Sequence, residues 1–225
     1  MNAKILPVFS RLVTLTVPVA LILSAVRALL TPAFVRFEYS TPGFPADPYG
    51  FSLNDRLHWS LISLEYLLND ADISFVADLQ FPDGTPVYNP RELRHMDDTK
   101  AIVRIVLSAW YFSITMLVLL GLIAWRWRGW QDFRKAAALG GWLTIILVGA
   151  AVLAVFLAFN AFFFFFHETF FESGTYVFRT SDTFIRLFPE RFWRDAFLAV
   201  GILSIMGGLA CGLGFRVKPK PSDLI

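Results

Sequence analysis

A chain of 225 residues that is 56% hydrophobic and only 17% charged departs from soluble domains, which average about 45–50% apolar and about 25% charged residues. Its mean hydropathy of +0.57 comes from four long apolar segments, which exclude an ordinary soluble globular domain and predict a polytopic membrane protein. The net charge of +2 is carried by cations bordering those segments rather than by a phosphate-binding stripe, so no nucleic-acid partner is expected.

The first span is read over 12–30. Lys4 and Arg11 precede it, but it is longer than a signal-peptide h-region of about 7–15 residues, and Arg27 disrupts a small-residue cleavage site. It is therefore expected to be a retained helix, with Arg27 snorkelling near its outer end. The segment 31–100 is polar and ordered in pattern. Tyr39 to Tyr49 is rich in Pro and Gly and should wind without helix or strand. Ser52 with Asp55 three positions on marks a helix start, and Leu53, Leu57, Leu61, Leu64 and Leu68 form an apolar stripe at helical spacing. That helix would lie on the membrane or pack on the span ends. Ile73 to Phe81, the turn Pro82-Asp83-Gly84 and Thr85 to Tyr88 predict a short β-hairpin.

Asn89 as cap and Pro90 at the first helical position predict a helix that runs into the second span, 101–125. A basic loop, 126–135, carries Arg126, Arg128, Arg134 and Lys135. The third span, 136–166, is followed by a second polar segment, 167–195, in which Thr175 to Thr180 is another strand-like run. The fourth span, 196–215, precedes a tail, 216–225, containing Arg216, Lys218 and Lys220. Each span exceeds or approaches the ~20 apolar residues needed to cross a bilayer core. The basic clusters fall on one side of a four-span chain, which predicts cytoplasmic termini and two polar segments facing outward together. Trp125, Trp127 and Trp130 fit an inner aromatic belt. The expected architecture is an α-helical four-transmembrane-helix bundle with a small extracytoplasmic cap of mixed helix and short strands. Asn89-Pro90-Arg91-Glu92 and Phe188-Pro189-Glu190-Arg191 each precede an even-numbered span, but proline suits any first helical turn, so no internal repeat is inferred.

The three histidines, His58, His95 and His167, all lie in the outward segments. His95 is one to two turns above Ala101. The third span is 31 residues, about 46 Å as a helix, so its outer end must tilt or protrude beyond a core of about 30 Å, carrying His167 with it. Adjacent antiparallel packing of the second and third spans would bring His95 and His167 together near the outer boundary. Imidazole takes and returns protons near neutral pH, so a pair at matching depth is a candidate acid–base centre. Glu92, three residues before His95 on nearly the same face, is a candidate to orient its ring. The five phenylalanines before His167 would make a dry wall suited to acyl chains. Asp98 is a second orienting candidate, and Arg56 and Arg94 are candidates for binding ester or backbone oxygens. The alternative for these four is ordinary surface ion pairing. A zinc site would need a third ligand from a distant helix and no His-x-x-x-His or His-Glu-x-x-His pair exists, so no metal is expected. One cysteine, Cys211, is a packing residue within a span, and no serine-nucleophile turn or phosphate-binding glycine loop is present. The span centres carry almost no ionisable residue, which disfavours a transporter.

Several stretches carry a family resemblance: Tyr49-Gly50-Phe51-Ser52 with Asp55-Arg56; Glu92-Leu93-Arg94-His95-Met96 with Asp98; Phe166-His167-Glu168 with Phe170-Phe171. Phe178, Asp182, Ile185 and Phe188-Pro189-Glu190 with Phe192-Trp193 continue it. In order along nearly the whole chain, they resemble the bacterial four-span family of lipoprotein intramolecular transacylases. The resemblance implies an enzyme of the bacterial plasma membrane whose substrate is a diacylglyceryl lipoprotein among membrane lipids. The reaction it implies moves the sn-2 acyl chain from glycerol to the α-amino group of the N-terminal cysteine, giving a lyso-form lipoprotein. It implies that His95 and His167 are the catalytic pair and that no cofactor is used. One departure stands out: Tyr176 occupies a position where the family pattern carries tryptophan, which bears on substrate fit rather than chemistry. Two other readings remain at this level: a lipid-ester hydrolase using the same histidines, and a non-catalytic membrane subunit whose cap binds a partner.

Overall fold

The computed structural model describes residues 5–171 and 176–215. Eight helices form in chain order: α1 (Leu6–Leu29), α2 (Pro32–Tyr39), α3 (Leu53–Leu68), α4 (Ser74–Ala77), α5 (Pro90–Arg126), α6 (Trp130–Phe170), α7 (Thr183–Leu187) and α8 (Glu190–Gly214). α1, α5, α6 and α8 are each long and apolar enough to cross a membrane. α5 and α6, at 37 and 41 residues, extend to about 55 and 60 Å, well past a bilayer core of about 30 Å. α6 departs from helical geometry at Ala158, where φ is −151° and ψ is 57°. Lys4, Thr175, Arg216, Lys218 and Lys220, used above for orientation and strand assignment, lie outside the described residues.

The chain divides into two compact units, the first from Met1–Val26, Ser108–Leu153 and Ala199–Ile225. Phe9, Val13, Val17, Leu120, Ala124, Phe133, Ala136 and Ala137 make its buried cluster. Small residues let the helices approach closely, as is usual where lipid supplies no hydrophobic drive for association. Thr14 Oγ1 donates to the Ala136 carbonyl at 3.0 Å and Trp110 Nε1 to Ser24 Oγ at 3.0 Å. α6 and α8 meet backbone to backbone: a Cβ on Gly141 would fall 2.5 Å from the Gly208 carbonyl oxygen and 2.8 Å from the Gly212 nitrogen.

The second unit comprises Arg27–Leu107 and Ala154–Leu198. Arg27 donates to the Leu30 carbonyl at 3.1 Å, closing the end of α1. Ser52 and Asp55 form a reciprocal capping box that starts α3. The leucine stripe of α3 is packed in its middle and open at its ends: Leu57, Leu61 and Leu64 lie in the core cluster and Leu53 and Leu68 are exposed, while Arg56, Ser60, Ser63 and Tyr66 are buried as well. The buried polar groups are satisfied by long-range partners. Tyr39 donates to the Leu187 carbonyl and shares a 2.6 Å hydrogen bond with Ser60, and Ser63 bonds Tyr88 at 2.6 Å. These hydroxyls help to set the helix's rotation, because a buried hydroxyl without a partner costs about 1–3 kcal/mol.

The expectation of a mixed cap with short strands is corrected: the described residues contain no β-strand, and the bundle and cap are all-helical. Of the predicted hairpin only a single antiparallel bridge, Gln80 to Pro86, remains. The cause is local. Asp72 Oδ1 accepts hydrogen bonds from the Ser74 amide and hydroxyl, which winds the first arm into α4. Pro86 has no N–H to extend a ladder in the second arm. The turn itself forms, with Asp83 bonded to Thr85 and Gly84 at φ +83°. Residues 176–180 are irregular.

The close contact at Gly141 makes a direct prediction. Gly141→Ala lowers Tm in detergent by the equivalent of about 1–3 kcal/mol, the usual cost of overpacking. Gly149→Ala, where a Cβ would meet nothing within 4 Å, leaves Tm unchanged or slightly raised. Scanning fluorimetry of the two variants checks this.

Candidate active site

The site is built where α5 begins. Asn89 Oδ1 accepts from the Arg91 and Glu92 amides at 3.0 and 3.1 Å, and Glu92 Oε2 accepts from the Asn89 amide at 2.8 Å. This reciprocal cap with Pro90 at the first position starts the helix abruptly. Glu92 is 1% exposed, and its other oxygen accepts from the Phe184 amide at 2.6 Å. One carboxyl group thus ties the start of α5 to the start of α7. Asp182 reinforces the tie: it takes Arg91 Nη2 at 2.6 Å, Asn89 Nδ2 at 3.3 Å and the Arg179 amide at 2.8 Å.

His95 projects from the first turns of α5 and is 4% exposed. Phe171, Phe178 and Phe184 surround it, with ring centroids 4.7, 5.1 and 5.2 Å away. His167, near the end of α6, lies nearly parallel to His95 with centroids 6.2 Å apart and 19° between planes. Phe163, Tyr176 and Phe171 pack on His167 at 4.0, 5.0 and 5.2 Å. His167 Nδ1 is 2.8 Å from the Phe163 carbonyl oxygen. A carbonyl only accepts, so Nδ1 carries the hydrogen, and in the neutral ring the lone pair is on Nε2. Nδ1 of His95 is buried with no hydrogen-bond partner. The result is two imidazoles in an aromatic enclosure, each with nitrogen capacity that the fold leaves unspent.

The other residues singled out from the sequence fall as follows. Glu92 addresses the Asn89 and Phe184 amides, and so bears on His95 through the Phe184 ring. Arg94 is exposed and Asp98 half-buried. Arg56 is buried in the cap, donating to the Pro45 carbonyl at 2.6 Å with its guanidinium over Tyr39 and Phe44. His58 is exposed and packs edge-on against Trp59 at 4.6 Å. Among the described residues, no group of three or more His, Cys, Asp or Glu is arranged to hold a metal ion. Sequence reasoning named Phe171, Phe178, Tyr176 and Asp182 only within the family resemblance, and missed Phe184, the enclosure these rings form around the histidines and the role of Asp182 as a hub. Asp182 directly before Thr183-Phe184 does carry a helix-start signal.

Fold and site together define a helical membrane protein with four membrane-length helices and a histidine pair at the junction of α5, α6 and α7. The family model for the lipoprotein intramolecular transacylase Lit matches residues 11–193, and the chain belongs to that family of membrane acyltransferases. A protein of Aquifex aeolicus (strain VF5), itself uncharacterised, is 28% identical over 183 residues, covering 81% of this chain and 82% of its own. The transacylase Lit from Bacillus cereus shares the fold. One of its structures aligns with a TM-score of 0.68 at 20% identity over 96% of both chains. A histidine-to-alanine variant aligns at 0.74 and 21% identity over 95% of this chain and 93% of that one.

Glu92→Gln turns an amide N–H₂ toward one of the two backbone donors and so breaks one tie. It lowers stability by about 1–3 kcal/mol and speeds hydrogen exchange at the Phe184 amide, read by mass spectrometry. Exposed Arg94→Ala changes stability by less than about 0.5 kcal/mol.

Proposed function

We propose that the protein is an intramolecular O-to-N transacylase acting on a diacylglyceryl lipoprotein at the extracytoplasmic boundary of the bacterial plasma membrane, with both termini cytoplasmic. The observation that carries this reading is the pairing of His95 and His167 at 6.2 Å inside an aromatic enclosure, in a chain of this family. The α-amino nitrogen of the lipidated cysteine attacks the sn-2 ester carbonyl. One imidazole takes the proton that the amine loses, and the other supplies a proton to the departing glycerol oxygen. The ester C–O bond breaks, an amide C–N bond forms, and no atoms leave the substrate. A protonated imidazole also stabilises the oxyanion of the tetrahedral intermediate.

Nucleophile and electrophile belong to one molecule, so their proximity is largely built into the substrate. No acyl-enzyme is then needed, and two acid–base groups suffice. The phenylalanines around the pair supply an apolar surface for acyl chains and keep out water, which would otherwise compete with the amine. Tyr176 packs on His167 at 5.0 Å, so the departure from tryptophan alters the wall beside one imidazole. The extracytoplasmic location is supported by the basic residues Arg126, Arg128, Arg134 and Lys135 between the second and third spans.

Purified protein incubated with a synthetic diacylated lipopeptide yields a product of unchanged mass, whose fragmentation places one acyl chain on the cysteine nitrogen. His95→Ala and His167→Ala each reduce that product by at least about 100-fold, the lower range for loss of acid–base catalysis, while still accumulating in the membrane. Release of free fatty acid would mark a hydrolase instead. Full activity in either variant would remove the histidine pair from the mechanism.

A further inference from the structure

Away from the histidine pair, Glu38 on α2 is 2% exposed, and its Oε1 is buried with no hydrogen-bond donor against it. Its side chain meets the carboxyl group of Asp195 on α8. Asp195 already has cationic partners: Arg191 Nε at 3.1 Å from Oδ2 and Arg194 Nε at 3.8 Å from Oδ1. Arg191 Nη2 also reaches back to the chain beyond α2, donating to the Pro42 carbonyl at 3.0 Å and to Thr41 Oγ1 at 3.5 Å. From α3 the charged contribution is Arg56, whose guanidinium lies over the ring of Tyr39, the residue after Glu38.

Ionised carboxylates only accept hydrogen bonds, so two in contact repel unless one holds a proton. Asp195 has the arginines, and Glu38 has the burial and the orphaned oxygen. Burying a charged oxygen without a donor is costly, whereas a protonated acid supplies its own donor. We propose that Glu38 and Asp195 share one proton, held on Glu38, which clips α2 to α8, and that losing this proton loosens the clip. The neighbourhood gives the clip a bearing on the active site. Phe34 and Tyr39 of α2 pack on Phe192 of α8, and ring contacts continue through Phe188 and Phe184 to His95.

Burial, then the neighbouring Asp195, raises the Glu38 carboxyl from its ordinary 4.5 to about 7, with Arg191 opposing. The folded state therefore holds a proton that the unfolded chain has released between those values, and stability falls as pH rises through that window. Below about 4.5 the contribution is fully present; above about 7 it is gone.

The test is Tm of the purified full chain in detergent from pH 4.5 to 8, for wild type, Glu38→Gln and Asp195→Asn. The glutamine amide donates to Asp195 at every pH, as the protonated acid does only at low pH. Wild type and Glu38→Gln should match near pH 4.5, and wild type should fall progressively behind until it is several degrees lower at pH 8. Asp195→Asn, lacking the like charge, should show a smaller fall than wild type. Parallel curves for wild type and Glu38→Gln would overturn the proposal. So would a Glu38→Gln protein that is less stable at pH 8 or fails to fold, or an unreduced fall in Asp195→Asn.

Discussion

The Glu92 carboxyl accepts hydrogen bonds from the Asn89 and Phe184 amides, 92 residues apart at the wider of the two spacings. That arrangement fixes two helix starts against each other. It sets the first turns of α5, and hence the direction of His95, and it anchors the Phe184 ring that packs on His95. Asp182 duplicates the tie through Arg91 and Asn89. Such cross-bracing matters because long helices alone fix a side chain's position along the axis but not its rotation about it. Rotating α5 by one residue would move its side chains by about 100° and carry His95 off its aromatic wall.

The aromatic enclosure holds both imidazoles in place without a carboxylate partner. His167 commits Nδ1 to a carbonyl within its own helix, four residues back, so its ring is oriented without help from a carboxylate. His95 is oriented by packing among three phenylalanine rings instead. Neither needs the acidic orienting partner that the run Arg91 to Asp98 suggested. The carboxyl groups near the site are spent on holding the backbone.

Much of this was legible in the sequence because it is local. Four apolar runs, the Ser52–Asp55 box, and Asn89-Pro90 with Glu92 each act within a few residues, and helical rise alone put His95 and His167 at similar depth. What was misread or left open has both local and long-range causes. The leucine stripe on α3 left open what that helix packs on; Tyr39 bonds Ser60 and donates to the Leu187 carbonyl, and Tyr88 bonds Ser63, so partners on other elements fix its rotation. The runs on either side of Pro82-Asp83-Gly84 suggested a hairpin, but one aspartate bonding Ser74 favoured a helical turn. The partnerships of Glu92 with Phe184 and Glu38 with Asp195 join residues more than 90 positions apart, and no local pattern marks them.

The account rests on a pair of imidazoles whose free nitrogens are set by the fold. The most direct measurement is ¹⁵N NMR of histidine-labelled protein, with His58→Gln and His95→Gln used to assign His167 by elimination. A neutral His167 protonated on Nδ1, with its lone pair on Nε2, is the predicted result. A ring protonated on Nε2, or two rings indistinguishable from histidine free in water, would contradict it.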